Sequence, residues 1–462
     1  MPVLPAPYDR RRWYWAGRGA VDAMREAAGR GMRRAVGLGA VAAVAVALPI
    51  RAEAAGFALR EGSADWMANV FAGDTAKAYD ASTVWSNPAG MVRLNQNEFD
   101  ASVNGIFPTT GFSGANYFGP GITTPGTTGG NLVESGVTAG LYAVWNASPD
   151  FKIGVGVDSP FGQKVSNPTG FVGRYQSMVS SITDIAFTVS AAYRINDQIS
   201  IGGGPVIDYF APRLTQAINV GAVSAVTGDP AADLNGSNVS AGYNIGLLYQ
   251  PTQTLRFGID YRSRIAHAID GTQSVFVPPA LGALSPAAAA SLTALNSPAT
   301  TKVTLPDSVT VGGYWQVTPR LALLSDASWT DWSLIRQIVV TPTTQGVPGS
   351  VLPENWRNTF AISVGANYRL TPALMLQCGA GFDQSPVTNQ NRTSRIPDAD
   401  RYPIGVGAQY DVLPNLTLQV AYSHLFFASA PVTTQASTTS GVLIGTYSNA
   451  ADTASIGVKW RF

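Results

Sequence analysis

Apolar and polar residues alternate strictly at the end of the chain. Ala454, Ile456, Val458, Trp460 and Phe462 are apolar, while Ser455, Gly457, Lys459 and Arg461 between them are small or charged. A period of two belongs to a β-strand with different surroundings on its two faces. Left as a sheet edge, a strand ending in Trp460 and Phe462 would invite aggregation; closure into a barrel removes the edge. The pattern recurs upstream, with Leu416, Leu418, Val420 and Tyr422 set against Asn415, Thr417, Gln419 and Ala421. Fourteen strands are predicted, at 97–107, 133–146, 151–159, 181–194, 198–212, 238–250, 253–267, 307–317, 320–340, 355–369, 373–384, 401–412, 415–427 and 451–462.

The connections alternate in length. Turns such as Ser148-Pro149-Asp150, Asn196-Asp197, Thr318-Pro319 and Leu413-Pro414-Asn415 are brief, whereas those at 108–132, 160–180, 212–237, 268–306 and 384–400 are long. Short turns on one side and long loops on the other are the signature of a barrel in a bacterial outer membrane. The fold class is therefore an all-β, 14-stranded antiparallel transmembrane barrel formed by residues 97–462. A soluble sandwich does not account for the loop asymmetry.

The first 96 residues do not alternate. Arg33 and Arg34 precede an apolar run at 35–50, and Ala52-Glu53-Ala54 offers small residues where a signal peptidase reads. Cleavage is expected after Ala54, which makes 1–54 an upstream extension and signal peptide; Met32 would open a conventional signal peptide, so translation is expected to start downstream of Met1. Residues 55–96 are turn-rich and poor in charge, with a helix predicted over 73–79, and are expected to sit in the barrel lumen as a hatch.

Composition narrows the chemistry. Only 13% of the 462 residues are charged, and 48 are glycine. Nine of the 30 basic and four of the 29 acidic residues precede position 55, so the remainder carries 21 against 25, a net −4. The basic excess thus argues for no nucleic-acid partner. One cysteine, Cys378, and two histidines, His267 and His424, offer no convincing metal site, and no phosphate-binding glycine loop is present, so no cofactor is expected. Ser423 and His424 are adjacent on a strand and point to opposite faces, which speaks against a histidine-dependent hydrolase.

Several motifs occur in a fixed order: Ala55-Gly56-Phe57, Asn87-Pro88-Ala89-Gly90-Met91, Leu305-Pro306-Asp307-Ser308, Trp329-Thr330-Asp331-Trp332-Ser333, Asn355-Trp356-Arg357-Asn358-Thr359, and the run from Gly381-Phe382-Asp383-Gln384-Ser385-Pro386 to Ile396-Pro397-Asp398-Ala399-Asp400-Arg401. With these the chain resembles the FadL/TodX family of outer-membrane transporters for long-chain fatty acids and aromatic hydrocarbons. The resemblance implies passive uptake of hydrophobic molecules past a luminal hatch and out through an opening in the barrel wall. Long-chain fatty acids are the favoured substrate; monoaromatic hydrocarbons, or a structural or adhesive barrel, are the alternatives.

The site expectations follow from both readings. Phe57 is the candidate ligand contact, with simple packing against the wall as its rival. Asn87 and Pro88 are expected to shape the hatch, since proline restricts the residue before it. The resemblance implies a lateral opening at the third strand, where Gly154, Gly156 and Pro160 permit the distortion it needs. Asp307, Asp331, Arg357, Asp383, Asp398 and Arg401 are expected to form luminal ion pairs, because charge facing lipid is costly. Trp460 and Phe462 are assigned to assembly through the barrel assembly machinery. The expected surroundings are outer-membrane lipid and lipopolysaccharide, and the expected state is a monomer.

Overall fold

The computed structural model describes residues 56–462; the expected signal peptide and its cleavage after Ala54 lie outside the described residues. Fourteen staves close a barrel. They are β1 (Glu98–Gly119), β2 (Gly136–Asn146), β3 (Phe151–Asp158, resumed at Gly162–Ser166), β4 (Val179–Arg194), β5 (Ile199–Ala217), β6 (Ala231–Thr252) and β7 (Leu255–Arg262, resumed at Ile265–Phe276). There follow β8 (Ser297–Leu305 and Ser308–Gln316), β9 (Leu321–Thr330 and Gln337–Pro342), β10 (Ser350–Pro353 and Thr359–Arg369), β11 (Leu374–Asp383), β12 (Arg401–Leu413), β13 (Leu416–Phe427 and Ala430–Thr433) and β14 (Val442–Arg461). Neighbours in sequence pair antiparallel, and β1 pairs with β14 from Glu98↔Arg461 to Tyr117↔Val442, which leaves no open edge.

The barrel is apolar outside and polar inside, so the alternation reads as predicted. On β13, Leu418, Val420 and Tyr422 are exposed to the membrane side while Thr417, Gln419 and Ala421 are buried. Aromatic residues ring the short-turn end: Trp145, Tyr193, Tyr249, Trp315, Tyr410 and Trp460 are all exposed there, as an interfacial girdle requires. The staves run longer than the pattern predicted at the opposite end. β1 continues to Gly119, β6 begins at Ala231 and β14 at Val442. Beyond the lipid neither face requires an oily side chain, so the ladder continues after the alternation has faded. The predicted loop 268–306 is likewise two strand segments carrying the helices Pro279–Leu284 and Pro286–Thr293 between them.

Residues 56–94 lie inside the barrel and are almost entirely buried. Their helices are short: α1 (Ala64–Ala68), capped by Ser63 Oγ accepting from Asp65 N–H, α2 (Thr83–Ser86), and a 3-10 turn at Pro88–Arg93. The helix predicted over 73–79 does not form. Asp326 Oδ2 accepts the N–H groups of Asp74 and Thr75, and these wall contacts outweigh local helix preference. Lys77 binds Asp65 at 2.9 Å and Asp74 at 2.7 Å within the segment, and Gln377 and Gln409 on the wall donate to Asp65 Oδ1. Asn87 accepts from Ala89 N–H and donates to the carbonyls of Thr75 and Leu247, while Pro88 opens the 3-10 turn. Facing them, Gly202 and Gly246 form a shelf: a Cβ on Gly246 would stand 2.0 Å from Asn87 Oδ1, and one on Gly202 2.6 Å from Pro88 C.

Candidate functional site: a cavity, a latch and a gap in the wall

Between β2 and β3 the ladder is interrupted. Pairing runs from Asn146↔Lys152 to Leu141↔Val157, stops, and returns only at the isolated bridge Val133↔Val165. Against β4 the same stretch of β3 breaks between Asp158 and Gly162. Pro160, which has no N–H to donate, sits in the break. Gly154 and Gly156 do not: both lie in regularly paired strand, and the missing side chain at 154 makes room for Val84 and Met91 of the hatch, at 156 for Tyr142 and Thr188. The strand departs from the wall three residues later than the glycines suggested.

The hatch covers the gap from inside. Leu59 N–H donates to Pro160 O at 2.7 Å, Gly162 N–H donates to Phe57 O at 2.8 Å, and Ala58 pairs with Phe161. One step further, Glu61 O accepts from Asn104 Nδ2 and Thr138 Oγ1, and Gly62 lies so close to Gly140 that no side chain fits between. Residues 57–59 thus lie across the gap as a latch, and residues 61 and 62 tie the strip to β1 and β2.

Phe57 is 4% exposed and stands at the centre of an aromatic cluster. Its ring lies 5.0 Å from Trp332, 5.4 Å from Trp356, 5.7 Å from Phe161 and 6.4 Å from Phe210. On one side of this cluster is an apolar cavity of about 870 Å³, mouth included, lined by Phe57, Phe210, Leu234, Ile269, Ile338 and Ile396 among others. On the other is a polar chamber of about 1080 Å³ that reaches Pro160 and Phe161 at the gap and Asp74, Arg262 and Asp326 at the hatch. The size and lining of the first suit an apolar ligand.

Two charged residues border the apolar cavity, Arg395 and Glu354. Burial pushes the Glu354 carboxyl up to about 7 against the pull of Arg395, and burial draws the Arg395 guanidinium down to about 10. Neither residue was singled out from the sequence. Arg395 adjoins the Ile396-Pro397-Asp398 motif, but nothing local reveals that it is buried.

Of the six charges expected to form ion pairs, Arg401, Asp398 and Asp383 meet one another, whereas Asp307, Asp331 and Arg357 pair with residues outside that set. Arg264 reaches Asp307 at 3.0 Å and Asp331 at 3.6 Å, Arg357 reaches Asp400 at 3.4 Å, and Arg401 reaches Asp398 at 3.6 Å and Asp383 at 4.0 Å. Ser423 and His424 do point apart: Ser423 Oγ meets Thr453 Oγ1 inside, and His424 Nδ1 lies 2.7 Å from Asp452 outside. Trp460 and Phe462 stack at 4.8 Å on the outer face of β14.

Known proteins share this architecture. The chain is 27% identical over 420 residues to the long-chain fatty acid transport protein of Escherichia coli K12, covering 84% of this chain and 92% of that one. It is 28% identical over 397 residues to the 47 kDa outer membrane protein of Pasteurella multocida, covering 81% and 88%. The crystal structure of a Pseudomonas aeruginosa FadL homologue superposes with a TM-score of 0.80 at 23% identity, over 88% of this chain and all of that one. The Ralstonia pickettii toluene transporter TbuX does so at 0.62 and 16%, over 87% and 99%. These two likenesses speak for the fold. The model of the outer membrane protein transport protein family (OMPP1/FadL/TodX) matches residues 45–462, so a barrel with its wall interrupted at β3 and its lumen filled by a hatch has a place: the chain belongs to that family.

Proposed function

We propose a substrate and a route for the passive outer-membrane transport of hydrophobic compounds that this barrel performs. The substrate is a long-chain fatty acid; it settles in the apolar cavity against Phe57 and leaves sideways between β2 and β3 once residues 57–59 withdraw. The observation that carries this reading is a ladder gap closed by few contacts of the hatch, with only the aromatic cluster around Phe57 between it and an apolar cavity. Lateral release is also the favourable direction, because an apolar chain released into periplasmic water forfeits about 25 cal/mol per Å² of buried apolar surface. The E. coli relative is named for fatty acid transport, which supports the substrate, and TbuX for toluene, which keeps monoaromatic hydrocarbons as the second reading.

The remaining assignments belong to the same reading. Residues 1–54 are removed on export, residues 55–96 act as hatch and 97–462 as barrel, and β14 with Trp460 and Phe462 is recognised by the barrel assembly machinery. The barrel works as a monomer among outer-membrane lipid and lipopolysaccharide. The test is uptake by the purified barrel in liposomes free of nucleotide and metal, with oleate and toluene compared. Oleate influx down its gradient supports the proposal; toluene influx with oleate excluded transfers the assignment to aromatic hydrocarbons, and influx of neither refutes it.

A further inference from the structure

One cation borders the apolar cavity, and it is incompletely used. Arg395 lies on the stretch 384–400 between β11 and β12 and is 7% exposed. Its Nη2 donates to Gln216 Oε1 on β5 at 2.5 Å. Among the described residues its Nη1 has no hydrogen-bond partner and the side chain makes no ion pair. A guanidinium is a cation at neutral pH, and one taken out of water without an ion-pair partner is costly.

Its position is as informative as its isolation. Arg395 and Glu354 border the inner apolar cavity and also a wider vestibule of about 1430 Å³, lined by polar residues such as Gln176, Gln216, Asn391 and Ser440. Arg395 therefore stands at the neck where a polar outer space meets an apolar inner one. Below it the wall is Ile396, Ile338, Ile269 and Phe57; above it, side-chain amides and hydroxyls predominate. A molecule that fits both halves has an anionic head and an apolar tail.

We infer that Arg395 is the headgroup anchor of the site: it pairs with the carboxylate of a fatty acid held at the neck, whose chain descends through the apolar cavity toward Phe57. The inference rests on the transport reading above and deepens it by fixing the orientation of the ligand and one determinant of specificity. A planar guanidinium offers a fork that a carboxylate matches with two parallel N–H···O bonds. Gln216 occupies one nitrogen as a neutral partner, and Glu354 at the same neck acts on Arg395 through its field without forming an ion pair. A neutral aromatic hydrocarbon would gain nothing from the arrangement.

The test compares dibromostearic acid with its methyl ester, both of which quench the fluorescence of Trp332 and Trp356 from within the cavity, on the purified barrel in nanodiscs. The wild type should bind the acid at least about tenfold more tightly than the ester, the range of a charge-assisted hydrogen bond. Arg395→Met should bring the acid-over-ester ratio to about one, while Arg395→Lys keeps part of the preference. Heat-modifiable gel mobility reports that each variant is a folded barrel. Gln216→Ala separates anchor from strut: an anchor keeps its acid preference when Gln216 is gone, whereas a strut loses acid and ester binding alike in both variants. An acid-over-ester ratio unchanged in Arg395→Met overturns the inference and leaves the transport reading standing. Failure of the wild type to bind either probe overturns both.

Discussion

A disulfide between positions 58 and 161 would fasten the latch across the gap. Ala58 and Phe161 face each other between the bonds Leu59 N–H to Pro160 O and Gly162 N–H to Phe57 O. That makes them a non-hydrogen-bonded antiparallel pair, whose Cα atoms stand about 4.5 Å apart, within the roughly 4.4–6.8 Å that a disulfide spans. Cys378, the one native cysteine, is exposed and would first become serine. Opening the latch breaks two backbone bonds, about 0.5–1.5 kcal/mol net each, and withdraws the buried Phe57 ring, about 1.5–3 kcal/mol. The sum of about 2.5–6 kcal/mol leaves the open state populated at about 10⁻² to 10⁻⁴ without ligand, low enough to seal the wall and high enough for ligand binding to shift.

The assay is oleate influx into liposomes carrying the Ala58→Cys, Phe161→Cys, Cys378→Ser barrel, measured oxidised and then reduced. Loss of the Phe161 ring is common to both redox forms and cancels. Influx should fall at least about tenfold on oxidation and recover on reduction, while oleate binding changes less than about twofold. A bridged barrel that carries oleate at the reduced rate would refute the lateral route, because residues 57–59 could not then leave the gap.

Three other outcomes are expected. Phe57→Ala should weaken oleate binding by about three- to tenfold, less than full loss of a buried ring because Phe210 and Trp356 still line the cavity; unchanged affinity would leave Phe57 a packing residue only. Deleting Phe462 should lower the amount of heat-modifiable barrel in outer membranes while transport per folded molecule is kept, and normal membrane levels would count against an assembly role. The third concerns pH: burial holds the Glu354 carboxyl up at about 7, so it is neutral at pH 6 and charged at pH 8. A raised carboxyl pKa contributes stability that is present at low pH and lost as pH rises through 7. The charge that then appears competes for Arg395, from stretch 384–400, while the indole N–H of Trp356 donates to it at 3.2 Å. Acid binding should therefore weaken by about threefold or more between pH 6 and 8, ester binding should not change, and Glu354→Gln should flatten the profile; a flat wild-type profile would contradict this account.

What the sequence revealed depended on the contrast between solvents. β13 and β14 were legible because each has lipid on one face and a polar lumen on the other, a difference that imposes strict alternation from Leu416 to Tyr422 and from Ala454 to Phe462. The same reasoning lost β1 after Phe107, where Thr109, Thr110, Gly111 and Ser113 still pair with β14 but no longer separate oil from water. Within the hatch local preference failed, since α1 and α2 have five and four residues and owe their form to Lys77, Asn87 and the glycine shelf. Gly154 and Gly156 are expected at a lateral opening, but what the missing side chains admit is the hatch at 154 and Tyr142 at 156, a neighbour that no local pattern specifies. Arg395 was hidden for a related reason. An arginine is legible as a charge, but the absence of a partner at Nη1 is a property of the folded chain.

The uneven attachment of the hatch limits what must move on the proposed route. Below the latch, Lys77 is buried with Asp65 and Asp74, Asp326 holds the Asp74 and Thr75 N–H groups, and Arg256 and Arg262 donate to the carbonyls of Ala76 and Trp85. Removing one member of such a buried pair costs about 3–5 kcal/mol, so pulling the whole hatch from the barrel would break several interactions that each rival the latch in full. Residues 57–59 are joined to the β3 break by two backbone bonds and one aromatic cluster, and it is against this cluster that the apolar cavity ends. A ligand tail reaching Phe57 acts directly on the weakest attachment and on none of the strong ones. Transport along this route therefore requires displacement of residues 57–59 alone, while the Glu61 and Gly62 contacts, the Lys77 network and the Asn87 and Pro88 contacts stay in place and keep the lumen filled.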